Sequence, residues 1–219
     1  MNDFKIRCSA IGQIMTNPSK KSALMSKSSM NYCKEWVKEQ IYGRKKTFES
    51  KYTDKGIIME DNALDFIADY LDYSSLLKNE KYFENDFLTG TPDVVLKDHI
   101  IELKNSWNCF SFPLFDDQIN KAYYYQCQGY LALTGLKRAR LIYALMDTPD
   151  HLIEKEYKFS LNNFLDYSEF EKNYLYNGIA AKYRIKIFEI ERDDKTIDSI
   201  INRVIVCRNY INELLTFNI

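Results

Sequence analysis

The chain has 219 residues, of which 28% are charged, and its formal net charge is −1. This length suggests one domain that is long enough to bury a sizeable core. A charge near zero does not by itself indicate a nucleic-acid partner, but it can hide a local basic patch. The first quarter of the chain concentrates such residues, namely Lys20, Lys21, Lys27, Arg44, Lys45 and Lys46.

The cysteine count and the hydropathy pattern indicate an intracellular protein. The five cysteines are odd in number and show no C-x-x-C spacing, which is typical of reduced thiols and does not support an iron–sulfur cluster. No apolar run approaches the length of a membrane span, and the N-terminus lacks the apolar region of a signal peptide. We therefore expect no membrane partner.

The N-terminal block predicts a short helix with a possible anion site. Ser9 can cap a helix from Ala10 to about Met15 that ends before Asn17 and Pro18. A helix N-terminus near a guanidinium, here that of Arg7, suits a phosphate, because oriented N–H donors and a cation act on the same anion. An ordinary capped helix would explain these residues equally well.

An inward-facing acid marks the second quarter of the chain. Residues 17–29 are predicted to form a loop, residues 30–44 an amphipathic helix, and residues 54–71 a further helix. In that third helix Glu60 lies in register with an apolar stripe of Ile57, Leu64, Ile67 and Leu71. Burying an unpaired carboxylate is costly, so Glu60 must be neutral, paired with an Arg or Lys on an inner sheet, or near a metal.

A β-hairpin is predicted next, after a strand over residues 81–88. Residues 94–96 and 100–101 are short apolar runs separated by polar residues. If the loop is Asp98 and His99, then Asp93 lies opposite Lys104, and the alternation places Asp93, Glu102 and Lys104 on one face. A three-residue loop would send Asp93 to the other face.

This convergence of two carboxylates and an ammonium suits phosphodiester hydrolysis. Hard oxygen ligands hold Mg²⁺ or Mn²⁺, and open coordination positions take water and a phosphate oxygen. Lys104 can orient that water or stabilise charge in the transition state. The alternative is a surface hairpin with solvated charges, since similar triplets recur at 156–158 and 193–195, although neither follows a Pro-Asp pair.

Aromatic residues dominate the next segment. Trp107, Phe110, Phe112 and Phe115 could stack on unpaired bases, but a core cluster is the commoner meaning of such residues. A helix over 117–134 would place Tyr123, Gln126 and Tyr130 on one face before Gly135 ends it. Its tyrosines could contact the DNA backbone or the metal-bound carboxylates, although an aromatic stripe is more often part of a core. The Gln126 amide could hold the attacking water or a phosphate oxygen.

The rest of the chain predicts a strand over 140–146, mixed helix and loop over 150–180, an edge strand over 183–191 and a closing helix over 197–217. The aromatic residues after Pro149 could form contacts between subunits or close the core of the domain.

Taken in order, these blocks resemble the PD-(D/E)XK nucleases, and within them the viral recombination exonucleases of the lambda exonuclease and YqaJ type. The resemblance covers roughly residues 4–146. It rests on the block at 4–16, on Gly56 to Glu60, on Thr91 to Asp93, on Glu102 to Lys104 and on Tyr123 to Tyr130.

The resemblance implies an α/β fold with a restriction-endonuclease-like core, in which helices flank a mixed, largely antiparallel central sheet. Residues 1–219 would form one domain, with 150–219 completing the core of about 4–146. The resemblance also implies a set of metal ligands at Asp93, Glu102, the Leu103 carbonyl and, directly or through water, Glu60. Lys104 and Gln126 would join them in catalysis, and the DNA or its 5′ phosphate would meet Arg7, Ser9, Tyr123 and Tyr130.

The implied activity is that of a Mg²⁺- or Mn²⁺-dependent 5′ to 3′ exonuclease on double-stranded DNA ends, acting in viral recombination in the host cytoplasm. Further implied partners are two more copies of the chain in a ring-shaped trimer and a single-strand annealing protein. A structure-specific or restriction-type endonuclease, an RNA-directed nuclease and a non-catalytic DNA-binding module remain alternatives. The last would keep the fold without the metal site, yet Glu60, Asp93, Glu102 and Lys104 are all present.

Overall fold

A mixed four-stranded sheet lies at the centre of the computed structural model, which describes residues 4–20, 22–46, 51–160 and 166–217. Its strands, in spatial order, are β4 (Val94–Val95), β5 (His99–Asn105), β6 (Arg138–Ala144) and β7 (Ile185–Glu191). The central pair β5 and β6 is parallel, and both outer pairs are antiparallel. The predicted mixed sheet is therefore confirmed, with β7 at an edge as expected.

A smaller sheet of three short strands lies earlier in the chain. These strands are β1 (Ile6–Arg7), β2 (Phe83–Glu84) and β3 (Leu88–Gly90), in the order β1-β3-β2. The hairpin of β2 and β3 replaces the single strand predicted over 81–88. Asn85 causes the reversal, because its side-chain Oδ1 accepts the N–H groups of Phe87 and Leu88 at 2.9 and 2.8 Å.

Helices flank the sheets. They are α1 (Ile11–Ile14), α2 (Lys27–Tyr42), α3 (Lys51–Ile58), α4 (Glu60–Tyr70), α5 (Lys121–Thr134), α6 (Asp150–Phe159), α7 (Tyr167–Glu171) and α8 (Asp194–Phe217). Ser26 and Asn120 cap α2 and α5 by accepting N–H groups of the first turn. Gly43 and Gly135 end the same two helices in the left-handed conformation, so the predicted stop at Gly135 is confirmed.

The two faces of the central sheet bury different sets of side chains. On one face, Ile100 and Leu141 pack with α5, α8 and the N-terminal turn, Cys8–Ala10. On the other face, Ile101, Leu103 and Ile142 pack with α4. The period of two along β5 places Glu102 and Lys104 on the same face as Ile100, which is the face that α5 covers. The sheet thus directs two charged side chains towards a helix.

Helix α5 lies in very close contact with the N-terminal turn. A Cβ on Gly129 would lie 2.6 Å from Ile11 Cδ1 and 2.8 Å from Cys8 Sγ, and one on Gly90 would lie 2.6 Å from Tyr130 Cε1. Real Cβ atoms do not approach other atoms so closely, so a side chain at either position would force Ile11, Cys8 or Tyr130 to shift. The position of α5 over the sheet is fixed by this contact.

The helix predicted over 54–71 is in fact two helices. The backbone breaks at Met59, whose φ of −96° and ψ of 4° leave the helical region, and α4 starts at Glu60. Ile57 therefore does not continue the apolar stripe and is 67% exposed, whereas Leu64 and Ile67 are buried as predicted. Lys55 is the fully buried residue of α3.

Lys21 lies outside the described residues, and the other five members of the predicted basic set, Lys20, Lys27, Arg44, Lys45 and Lys46, are exposed. All five cysteines are free thiols, and only Cys109 is exposed. None of the helices in the described ranges is long and apolar enough to cross a membrane.

Candidate active site

The hairpin of β4 and β5 brings Asp93 next to Glu102. Val94 pairs with Ile101, and the Leu96 N–H donates to the His99 carbonyl at 2.9 Å, so the two-residue loop is Lys97 and Asp98. The predicted loop of Asp98 and His99 was therefore wrong. When the observed register is continued by one residue, Asp93 lies opposite Glu102 and not opposite Lys104. The shift is two residues, so Asp93, Glu102 and Lys104 still share one face, as predicted.

His99 is the first residue of β5 and is held there by its side chain. Its ring is buried and lies 2.9 Å from an oxygen of Asp98 and 3.3 Å from the Tyr73 hydroxyl. A residue held by side-chain contacts on two sides fits the first position of a strand better than the exposed tip of a turn.

Glu102 is 2% exposed and is bonded on only one of its two oxygens. Its Oε1 accepts from Lys104 Nζ and from Gln126 Nε2, both at 2.6 Å. Its Oε2 is buried and has no hydrogen-bond partner. A buried oxygen without a partner costs free energy, so this atom is poised to accept a ligand.

Asp93 accepts hydrogen bonds from two backbone N–H groups, one in β5 and one in the loop that follows α4. Its Oδ2 accepts the Leu103 N–H at 2.7 Å, and the Asn79 N–H donates to its carbonyl, also at 2.7 Å. Burial and the Glu102 carboxylate raise the pKa of Asp93 well above its ordinary value, against the opposing effects of the Leu103 N–H and Lys104. A second positive charge between the two carboxylates would relieve this cost.

Lys104 is the cation of the site. Burial acts to lower its pKa, but the carboxylates of Glu102 and Asp93 act in the opposite direction and leave the pKa raised, so the amine is charged at neutral pH. Its Nζ also lies 4.7 Å from the centre of the Tyr123 ring. Tyr123 in turn packs edge to face against Tyr143, with 6.1 Å between the ring centres.

Glu60 lines the same cavity but is paired. Its Oε2 accepts from Lys78 Nζ at 2.6 Å, and its side chain is 17% exposed. The alternative prediction for Glu60 was an Arg or Lys partner on an inner sheet, but the partner, Lys78, lies in the loop that follows α4. The Lys78–Asn79 segment thus binds both Glu60 and Asp93, and no pattern in the sequence indicated either residue.

These side chains line one cavity of about 490 Å³. Its wall consists of Tyr52, Thr53, Gly56, Ile57, Glu60, Asp93, Glu102, Leu103, Lys104, Asn105, Ser106, Trp107, Ser111, Tyr123 and Tyr143. Among the described residues, two buried side-chain polar atoms have no partner, Glu102 Oε2 and Asn105 Oδ1, and both residues line this cavity. Both atoms are acceptors, so the cavity suits a cation or a hydrogen-bond donor.

The residues fit a hard divalent cation with few protein ligands. Within the described ranges no three or more His, Cys, Asp or Glu side chains are grouped to hold a metal. Mg²⁺, however, is commonly bound by one or two carboxylates with water completing its shell. Asp93, the unpartnered oxygen of Glu102 and the adjacent backbone carbonyl of Leu103 are donors of that kind.

Tyr130 and Gln126 lie inside the protein. Tyr130 is 4% exposed, and its contact with DNA stays a prediction. Gln126 Nε2, which bonds to Glu102, also donates to the Tyr130 hydroxyl at 3.1 Å. Both N–H groups of the amide are thereby used inside the protein, which makes Gln126 a positioning residue for Glu102.

The N-terminal residues lie outside the cavity. Ser9 belongs to a 3-10 turn, Cys8–Ala10, and does not cap α1, whose N-cap is Ala10 without a side-chain bond. The predicted cap was therefore wrong, and α1 has only four residues. Arg7 and Ser9 are exposed, and the Arg7 guanidinium is close enough to Tyr32 to oppose the rise that burial causes in the pKa of that phenol.

A mixed sheet that presents two carboxylates and a lysine beneath a glutamine-bearing helix defines a nuclease of the restriction-endonuclease-like fold. Residues 6–137 match the family profile of the YqaJ-like viral recombinase domain. The match covers more than half of the chain, which therefore belongs to this family.

Solved structures agree with this assignment. A phage-related exonuclease from Haemophilus somnus 129PT superposes with a TM-score of 0.84 at 28% identity, over 98% of this chain and 96% of that one. The alkaline exonuclease LHK-Exo from Laribacter hongkongensis shares the fold, with a TM-score of 0.66 at 16% identity over 97% and 90% of the two chains. No curated protein matches the sequence.

Proposed function

We propose that this protein is a Mg²⁺-dependent deoxyribonuclease that degrades double-stranded DNA from the 5′ end in viral recombination. The observation that supports it is the buried, unpartnered Oε2 of Glu102 beside Asp93, whose pKa is raised by burial and by Glu102. The phage-related and alkaline exonucleases of similar structure favour exonuclease action, and one LHK-Exo structure contains dAMP.

Each residue of the site has a role in this proposal. Asp93, Glu102 and the Leu103 carbonyl would hold the metal, with Glu60 reaching it through water. A bound Mg²⁺ or Mn²⁺ would supply Lewis-acid polarisation of the phosphate and a more acidic water. The charged amine of Lys104 stabilises negative charge on the phosphoryl oxygens, and Gln126 keeps Glu102 in place.

A gel assay tests the function directly. End-labelled linear duplex and closed circular DNA are incubated with the protein, with Mg²⁺ and with EDTA. We expect Mg²⁺-dependent loss of the linear DNA only, and its absence in the Asp93→Ala, Glu102→Ala and Lys104→Ala variants. Nicking of the circle would identify an endonuclease instead, and full activity in EDTA would refute the metal assignment.

Recognition of the 5′ end is proposed for Arg7, with Ser9 beside it, because both side chains are exposed next to the small sheet. Duplex with a 5′ phosphate should be degraded faster than duplex with a 5′ hydroxyl, and Arg7→Ala should erase the difference. A charge-assisted contact of this kind changes the relevant constant roughly ten- to a hundred-fold. Equal wild-type rates on both substrates would remove this part of the proposal.

We also propose that the protein works as a homotrimeric ring and hands its product strand to a single-strand annealing protein. With a net charge of −1, a lone subunit has little non-specific affinity for a polyanion, and enclosure of the DNA would remove that need. Light scattering and a processivity assay with competitor DNA test this. A monomeric mass with strictly distributive cleavage would contradict it.

A further inference from the structure

The loop between β5 and α5 exposes two phenylalanines almost completely. Phe110 is 91% exposed and Phe115 is 92% exposed. The other two aromatic residues of this loop behave in the opposite way, since Trp107 is 4% exposed and Phe112 is 7% exposed. The loop therefore uses one pair of aromatic rings for packing and presents the other pair to solvent.

The backbone that carries these rings is tied down. The Cys109 N–H donates to the Tyr176 hydroxyl at 3.0 Å, and Phe112 packs against Tyr176 in a buried cluster. Asn108 and Ser111 close a turn around Phe110 through reciprocal backbone-to-side-chain bonds, each of 3.0 Å. Full exposure of an aromatic ring on an anchored loop forgoes the gain from burial, so packing does not explain the positions of Phe110 and Phe115.

The loop lies beside the candidate active site. Ser111, Tyr123 and Tyr143 line both the active-site cavity and a second cavity of about 390 Å³, which Pro113 and Asp116 also line. Phe110 precedes Ser111, and Phe115 precedes Asp116, so each exposed ring is the chain neighbour of a lining residue. Neither ring lines either cavity itself, but both belong to a loop that borders the two cavities.

The charge of the loop selects the part of the nucleotide that it can contact. Residues 106–120 contain Asp116 and Asp117 and no lysine or arginine. Carboxylates repel phosphates, so this surface is unsuited to the DNA backbone. Aromatic rings, by contrast, stack on the neutral faces of bases of any sequence.

We propose that Phe110 and Phe115 form a stacking platform for unpaired nucleobases of the DNA strand at the active site. This inference rests on the proposed nuclease function and adds a binding subsite to it. The subsite would favour DNA ends in which a few bases are already unpaired over fully paired ends.

Fluorescence anisotropy tests the platform with the full chain, in Ca²⁺ so that bound DNA is retained. The probes are a duplex with a short unpaired tail and the same duplex with abasic positions throughout that tail. The wild-type protein should bind the tail with bases roughly ten-fold more tightly, and the doubly substituted F110A/F115A protein should lose this difference. Because the backbone charge is identical in the two probes, only base contacts are compared.

Three further variants sharpen the test. Phe159→Ala removes a phenylalanine that is 78% exposed on α6 and should leave the discrimination intact. F110W/F115W should retain it, whereas F110L/F115L should not, since leucine is apolar but cannot stack. Retained discrimination in the alanine or leucine double variant, or a change in light-scattering mass without a change in base discrimination, would overturn the proposal in favour of a protein interface.

The outcome is separable from that of the proposed function. Mg²⁺-dependent hydrolysis by a wild-type protein that binds both probes equally would refute the platform alone. A wild-type protein that neither cleaves nor binds either probe would refute both.

Discussion

Two buried regions of the protein contain charged side chains, and they differ in whether their hydrogen bonds are complete. One carboxylate oxygen of Glu102 accepts from Lys104, and the other is buried and has no partner. Lys55 is fully buried on α3, and its Nζ donates to the carbonyls of Trp107 and Met146 at 3.0 and 2.6 Å. A neutral amine has two N–H donors, and these two carbonyls use both.

The difference distinguishes a binding site from a structural contact. Burial lowers the pKa of Lys55 to about 7, with the effects of Asp147 and Arg184 opposing each other, so this group can lose its charge within the fold. In the proposed function, a bound cation would complete the interactions of the carboxylate pair Asp93 and Glu102. A buried group whose hydrogen bonds are all made stabilises the fold, whereas a buried group with an unused hydrogen-bonding atom indicates where a ligand could bind.

The largest effect is expected from Glu102→Gln. This substitution keeps the shape of the side chain but removes the negative charge that would bind the cation. Mg²⁺-dependent hydrolysis should fall by at least roughly 10²–10³-fold. Thermal unfolding supplies an independent measurement, because Mg²⁺ at a hundred times its Kd should stabilise the wild-type protein by about 2.7 kcal/mol and the variant by much less. Equal Mg²⁺ stabilisation of both proteins would place the metal elsewhere.

An intermediate effect is expected from Gln126→Ala, with Gln128→Ala as the matched control on the same helix. Gln126 positions Glu102, so its loss should lower activity about ten- to a hundred-fold. Gln128 donates to the Glu191 carbonyl and accepts from the Asp193 N–H at 2.8 and 2.9 Å. Its loss should cost about 1–3 kcal/mol of stability and leave the activity of the folded protein unchanged. Loss of activity in Gln128→Ala, with loss of stability alone in Gln126→Ala, would contradict these roles.

The smallest effect concerns Lys55, whose hydrogen bonds are complete, and it appears as a pH dependence of the free energy of unfolding. Between pH 7 and the ordinary lysine pKa of 10.5, unfolding returns a proton to Lys55, so stability should rise with pH. The slope from this one group is at most about 1.4 kcal/mol per pH unit. Chemical denaturation at pH 7, 8 and 9 should show this slope in the wild-type protein and not in Lys55→Met. Parallel slopes would mean that Lys55 stays charged in the fold.

The shared face of Asp93, Glu102 and Lys104 was predictable from the sequence, although the register was not. Side chains alternate along a strand, so a shift of two residues leaves each of them on the same face. The stop at Gly135 was predictable for a similar local reason, since glycine readily takes the left-handed conformation.

What could not be predicted depends on contacts between distant segments. A lysine in an amphipathic helix usually faces solvent, and nothing local distinguishes Lys55 from Lys51. Lys78 and Asn79 reach Glu60 and Asp93 from a loop without periodicity. Residue type alone does not separate Gln126 from Gln128, since both are buried on α5. The resemblance to a family singled out Gln126, whose amide donates to Glu102.

The close approach of α5 to the N-terminal turn at Gly129 bears on how this enzyme can vary. A methyl group at Gly129 would displace Ile11 or Cys8, or would lift the helix that carries Gln126. A genetic screen for inactive alleles should therefore recover Gly129 and Gly90 together with the acidic residues, although neither glycine would touch DNA. Directed evolution of a new substrate preference would have more freedom in the loop of Phe110 and Phe115, where substitutions leave this contact undisturbed.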